Sequence, residues 1–144
     1  MKKQTKPSKT LNIFLWTAQI LLFVSLLWAG VLKLFQPVEE LKLMWPWIGE
    51  VSVVFVKFTG AVDLLGAFGL VLPPLFRMNP ILVPFTASGI ILLMIAASIF
   101  HISRGEGAQI GVNIVFALIA GFIAWGRFKT NTFQKSGEKQ KIGS

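Results

Sequence analysis

Apolar residues along this chain fall into four long runs. Leu11 to Leu32 and Pro80 to Phe100 contain no charge, Val51 to Leu72 contains Lys57 and Asp63, and Ala108 to Gly126 carries Asn113 near its start. At about 1.5 Å per helical residue, some 20 apolar residues cross a hydrocarbon layer about 30 Å thick. The pattern therefore predicts an all-α membrane protein with spans at about 11–33, 51–72, 80–101 and 108–126. The first run has the basic start of a signal peptide, but it exceeds the roughly 7–15 apolar residues of one and reads as a retained helix. Ser8 and Thr10 are its candidate caps. Pro73 and Pro74 are expected to stop the second helix, and Pro84 to sit near the start of the third. Residues 1–10 and 128–144 are polar and basic and read as disordered tails on either side of one four-helix domain over 11–127.

Between the first two runs, Leu34 to Glu50 mixes acids, apolar residues and Trp45 and Trp47. Indole rings settle at the membrane–water interface, so this stretch is expected to lie there, either as an anchored loop or as a lid over the mouth of the bundle. The net charge of +8 sits mainly at the chain ends, where basic residues act as topology signals; without a basic-aromatic motif or a basic helical face, nucleic acid is not an expected partner. The absence of cysteine excludes thiol redox chemistry and thiolate metal sites.

Lysine and arginine settle the expected orientation. Ten lie in the two tails and the second connection, and three (Lys33, Lys42 and Arg104) lie on the other side. The basic side is cytoplasmic, so both termini are expected there, with four antiparallel helices between them. The expected location is a bacterial cytoplasmic (inner) membrane, with the lipid bilayer as the first partner.

That orientation brings the polar residues to one half of the bundle. Lys33 ends the first helix, Lys57 lies about 9 Å into the second, His101 ends the third, and Asn113 lies about one turn into the fourth. Asp63 marks the floor. Charges within spans are costly and are functional-site candidates by default. Lys57 and Asp63 are separated by about 120° of helical turn and 9 Å of rise, outside direct pairing along their own helix. Candidate partners for Asp63 are Lys57 by a bent side chain, Lys33 reaching inward, His101 and Asn113. Gly60 and Ala67 share the Asp63 face and allow a neighbouring helix to approach. The expected site has Asp63, Lys57 and His101 as acid–base groups and Lys33, Asn113 and Arg104 as substrate-binding groups. Plainer readings stand beside it: Lys33 snorkels to the interface, His101 caps its helix, Asn113 ties two helices together, and Lys57 with Asp63 fixes helix register.

The sequence Gly30-Val31-Leu32-Lys33-Leu34, followed by Gly60-Ala61-Val62-Asp63-Leu64-Leu65-Gly66-Ala67-Phe68-Gly69, resembles the DoxX-like membrane proteins. Ala96-Ala97-Ser98-Ile99-Phe100-His101 is similar to the alanine-rich end of the third helix in that family, and Asn113 to an asparagine early in the fourth. Aspartate stands at position 63 where many relatives have glutamate. The resemblance implies a small four-helix protein and an association with quinone-linked membrane redox complexes. One histidine and no cysteine argue against an intrinsic haem, iron–sulfur or copper centre. What the resemblance implies is a quinone as candidate cofactor; a redox-complex subunit or a second copy is the candidate protein partner. The alternatives are a non-catalytic assembly or scaffold protein and a proton-coupled small-solute transporter.

Overall fold

The computed structural model of the chain describes the backbone of residues 8–143 and the side chains of 8–131, 142 and 143. It is an all-α bundle with four helices of membrane length: α1 (Lys9–Phe35), α3 (Val53–Leu75), α4 (Leu82–Ser103) and α5 (Gly107–Ile142). A short helix α2 (Val38–Met44) and a 3₁₀ turn (Pro46–Glu50) fill the connection between α1 and α3. The long helices close a ring in which α1 and α4 each pack against both α3 and α5. Leu22, Leu26, Ala67, Leu70, Ala87, Ile90 and Ile123 form its core. Large apolar side chains such as Leu65, Leu92 and Leu118 stay outside, as expected where lipid replaces water as solvent.

Local chemistry explains the helix limits. Ser8 and Ser52 accept hydrogen bonds from Leu11 N and Phe55 N, capping α1 and α3, whereas Thr10 lies inside α1. Of the tail expected over residues 1–10, residues 1–7 lie outside those described. Pro73 and Pro74 do not end the second span as expected; α3 carries both and runs to Leu75. Its end is a Schellman turn in which Met78 N donates to Pro73 O while Arg77 takes φ +51°. Helix α4 ends in the same way: Glu106 N donates to His101 O, Gly105 N donates to Ile102 O, and Gly105 takes φ +73°.

Two expected segments take a different form. Leu34 to Glu50 is mostly helical, anchored by Leu41 and Ile48 against Val56 of α3. The polar stretch after Gly126, read as a tail, continues α5 to Ile142. No proline follows Pro84, and lysine, glutamine and glutamate are good helix formers. Extending an existing helix avoids the unfavourable nucleation step.

Candidate functional site

The site begins with a close backbone crossing. A β-carbon at Gly30 would lie 2.9 Å from Gly60 O, and one at Gly60 would lie 2.8 Å from Lys33 Cβ and 3.1 Å from Gly30 O. Hydrogen at both positions lets α1 and α3 touch. Lys33 and Asp63 each follow a crossing glycine by three residues. Helical side chains lean toward the N-terminus of their own helix, so these two lean into the same contact. Lys33 Nζ donates to Asp63 Oδ2 at 2.7 Å, with the side chains 14% and 7% exposed. Lys33 therefore turns inward rather than snorkelling, and Asp63 takes the lysine from the other helix.

Lys57 is placed elsewhere. Its ammonium donates to Leu34 O, in the last turn of α1, where helix carbonyls lack intrahelical partners. It braces the end of α1 and is not brought to Asp63.

Aromatic rings cover the Lys33–Asp63 pair. Lys33 Nζ lies 5.8 Å from the ring centres of both Trp45 and Trp47. Trp45 meets Trp28 edge-on, and Trp47 meets Phe55, Phe100 and His101. Beneath them lies a cavity of about 550 Å³, lined mainly by apolar groups together with Lys33, Asp63, His101 and Asn113. The segment from α2 through the 3₁₀ turn thus contributes Trp45 and Trp47 to the cavity wall.

His101 is buried, and its Nδ1 lies 2.7 Å from Glu106 Oε2. The Schellman turn creates this contact by folding Glu106 N back onto the carbonyl of His101 itself. Arg104 bridges Glu106 and Glu50, joining the α4–α5 turn to the end of the 3₁₀ turn. Its hydrogen bond to Glu50 leads the upward displacement of the Arg104 pKa. The His101 hydrogen bond and Arg104 hold the Glu106 carboxyl below its ordinary 4.5 against a smaller opposing effect of burial. Arg104 is therefore an outer brace and does not line the cavity. Asn113 does line it, and its Nδ2 is buried without a hydrogen-bond partner. Ser98 turns its hydroxyl onto Met94 O.

Two participants escape sequence reasoning, Glu106 and Glu50, while Trp45 and Trp47, expected as interfacial anchors or part of a lid, form a wall of the cavity. Glycine at 105 was the available signal for Glu106, because a glycine just past a helix end marks a turn that folds the next residue back. Among the described residues, no group of three or more histidine or acidic side chains is arranged to hold a metal ion.

A second polar cluster lies at the far end of the bundle. Pro74 cannot donate to Leu70 O, and Gln19 of α1 does so instead at 2.7 Å. Arg127 Nε donates to Gln19 Oε1 at 2.6 Å and its Nη1 to Asn12 Oδ1 at 3.0 Å, with the guanidinium against Trp16. Asn131 Nδ2 of α5 donates to Pro80 O, in the turn before α4, at 2.9 Å.

No curated protein and no solved structure matches the chain. A family model does, over residues 17–123, which include the Gly30–Gly60 crossing, the Lys33–Asp63 pair, His101 and Asn113. The chain belongs to the DoxX-like family.

Proposed function

We propose that this protein binds a quinone-like molecule in the aromatic-walled cavity and serves as a subunit of, or accessory to, a quinone-linked redox system of the bacterial cytoplasmic membrane. In this reading the four helices run antiparallel, with both termini cytoplasmic and the cavity in the extracytoplasmic half. The observation that carries it is the cavity itself. Flat rings surround a space that also presents a lysine–aspartate pair, an imidazole and an amide, the mixture that suits a flat apolar headgroup with oxygen atoms at its edge.

Reduction of a quinone to a quinol takes two electrons and two protons. An oxidoreductase partner supplies the electrons, and the residues of this chain hold and exchange protons. His101, held at Nδ1 by Glu106, and Asp63, held by Lys33, are the groups in position for that exchange. Asn113 and Lys33 orient the oxygen atoms.

The test is a titration of purified protein in lipid nanodiscs with a short-chain quinone, read by tryptophan fluorescence. Saturable quenching in wild type, weakened in Asp63→Asn, is the expected result. Absence of saturable quenching in folded wild type rejects the reading. Topology is checked separately: in this cysteine-free chain, single cysteines at Gly49 and Asn79 should react with an impermeant reagent from opposite faces.

An assembly or scaffold role has one observation in its favour. Lys33 and Asp63 satisfy each other and need no ligand. It predicts that Asp63→Asn changes abundance while any complex that still forms turns over normally.

A further inference from the structure

We propose that the cavity is filled sideways from the bilayer, through the seam between α1 and the first half of α5, and that its ligand is an uncharged amphiphile with a carbonyl oxygen and a long apolar tail. The quinone reading concerns which headgroup binds; this inference concerns the ligand's charge, its shape and its route, and it can fail separately.

The seam is closed at the far end and loose at the site end. Leu15 fills the space beside Gly126, and Arg127 reaches Gln19 and Asn12. Buried positions in α5 begin only at Ala120; from Gly107 to Ile119 every residue is exposed or partly so. Trp28 of α1 and Val112 of α5 both line the cavity while remaining 54% and 55% exposed, as does Phe58 of α3 at 64%, so side chains on this rim border both the cavity and the lipid; α5 is the helix whose half beside the cavity has no buried position. At the other mouth, Trp45 and Trp47 lie over Lys33, Ile48 anchors the 3₁₀ turn on Val56, and Arg104 ties Glu50 to the α4–α5 turn. The easier path therefore leads to hydrocarbon.

The cavity's chemistry selects the ligand. Its charged walls, Lys33 and Asp63, are opposite in sign and in contact, so a charged ligand would find no net countercharge. The unpartnered Asn113 Nδ2 is a donor that a carbonyl oxygen would satisfy once the amide turns it into the cavity. A tail longer than the cavity stays in the lipid through the seam.

The experiment uses the full chain in phospholipid vesicles containing an uncharged iodophenyl trifluoromethyl diazirine, with labelled residues mapped by mass spectrometry. Lateral access predicts labelling of Asn113 and Phe116 as well as lipid-facing Leu118. Bridging Ser25→Cys and Val112→Cys with a reducible bifunctional thiol reagent should abolish labelling of Asn113 and Phe116, spare Leu118, and be reversed by reduction, which also shows that the fold survived. Unlabelled cavity residues in wild type, or labelling that persists through the bridge, overturn the route. A long-chain methyl ketone should protect Asn113 in wild type but not its neighbour Phe116 in Asn113→Leu, while the fatty carboxylate of equal length should protect neither. Equal protection by the carboxylate, or none by the ketone, overturns the ligand class. Failure of a tailed quinone alone to protect rejects the quinone reading and leaves the route standing.

Discussion

At the far end of the bundle, Gln19 and Asn131 donate to backbone carbonyls and Arg127 ties Gln19 to Asn12, whereas at the site end Lys33 meets Asp63 and His101 meets Glu106 beside a cavity. Both ends bury polar groups, and burial alone does not distinguish them. Their surroundings do. Gln19 repairs a break that Pro74 makes in α3. Arg127 Nη2 and Asn113 Nδ2 are both buried without a partner, but it is Asn113 that lies on a cavity presenting Lys33, Asp63 and His101 to a ligand.

The strongest way to break this contrast is at Asp63. Asp63→Asn leaves Lys33 buried without a countercharge and is expected to cost about 3–5 kcal/mol of stability, read by thermal unfolding in detergent. The double variant Lys33→Met/Asp63→Leu should recover most of that loss yet fail to bind quinone. Recovery of stability with binding intact would reduce the pair to a packing device. Gln19→Leu should cost about 1–3 kcal/mol by stranding Leu70 O, without altering quinone titration at the other end. A change in quinone affinity there would show that the two ends are coupled.

The two Schellman turns sharpen the comparison further. Arg77 takes a left-handed conformation that glycine adopts freely, so Arg77→Gly should stabilise the protein by up to about 1 kcal/mol. Unfolding midpoints would measure it. The corresponding position at the site end is already Gly105, and Gly105→Arg should destabilise and separate Glu106 from His101. The smallest effect concerns acidity. Because the folded protein lowers the Glu106 pKa, its stabilising contribution is fully present above about pH 4.5 and is lost as pH falls below that value through the folded pKa. Stability measured against pH should therefore fall less on acidification in Glu106→Gln than in wild type.

The four spans were legible because long apolar runs have few other stable forms in lipid. Asp63, His101 and Asn113 were legible as polar residues at unusual depth, and all three line the cavity. The partnerships were harder to read. Lys33 reads from the sequence either as a partner reaching inward to Asp63 or as an interfacial lysine, because rise along one helix says nothing about how closely its neighbour approaches; the glycines at 30 and 60 carry that information only once they are opposed. Gln19 was invisible for the same reason, since its acceptor lies 51 residues away and is created by a proline on another helix. Polarity alone suggests disorder after Arg127, whereas the backbone of α5 continues through a stretch that contains Gly137 but no proline.

The contact between Gly30 and Gly60 makes mechanical tolerance and electrostatics a single quantity. A methyl at Gly30 would meet Gly60 O as well as the Leu64 side chain, and one at Gly60 would meet Lys33 Cβ and Gly30 O, so a change of rotamer cannot relieve the backbone part of either contact. A methyl group at either position acts as a wedge and lengthens the Lys33–Asp63 bond at the same stroke. This interface cannot be repacked for strength without also resetting the field inside the cavity.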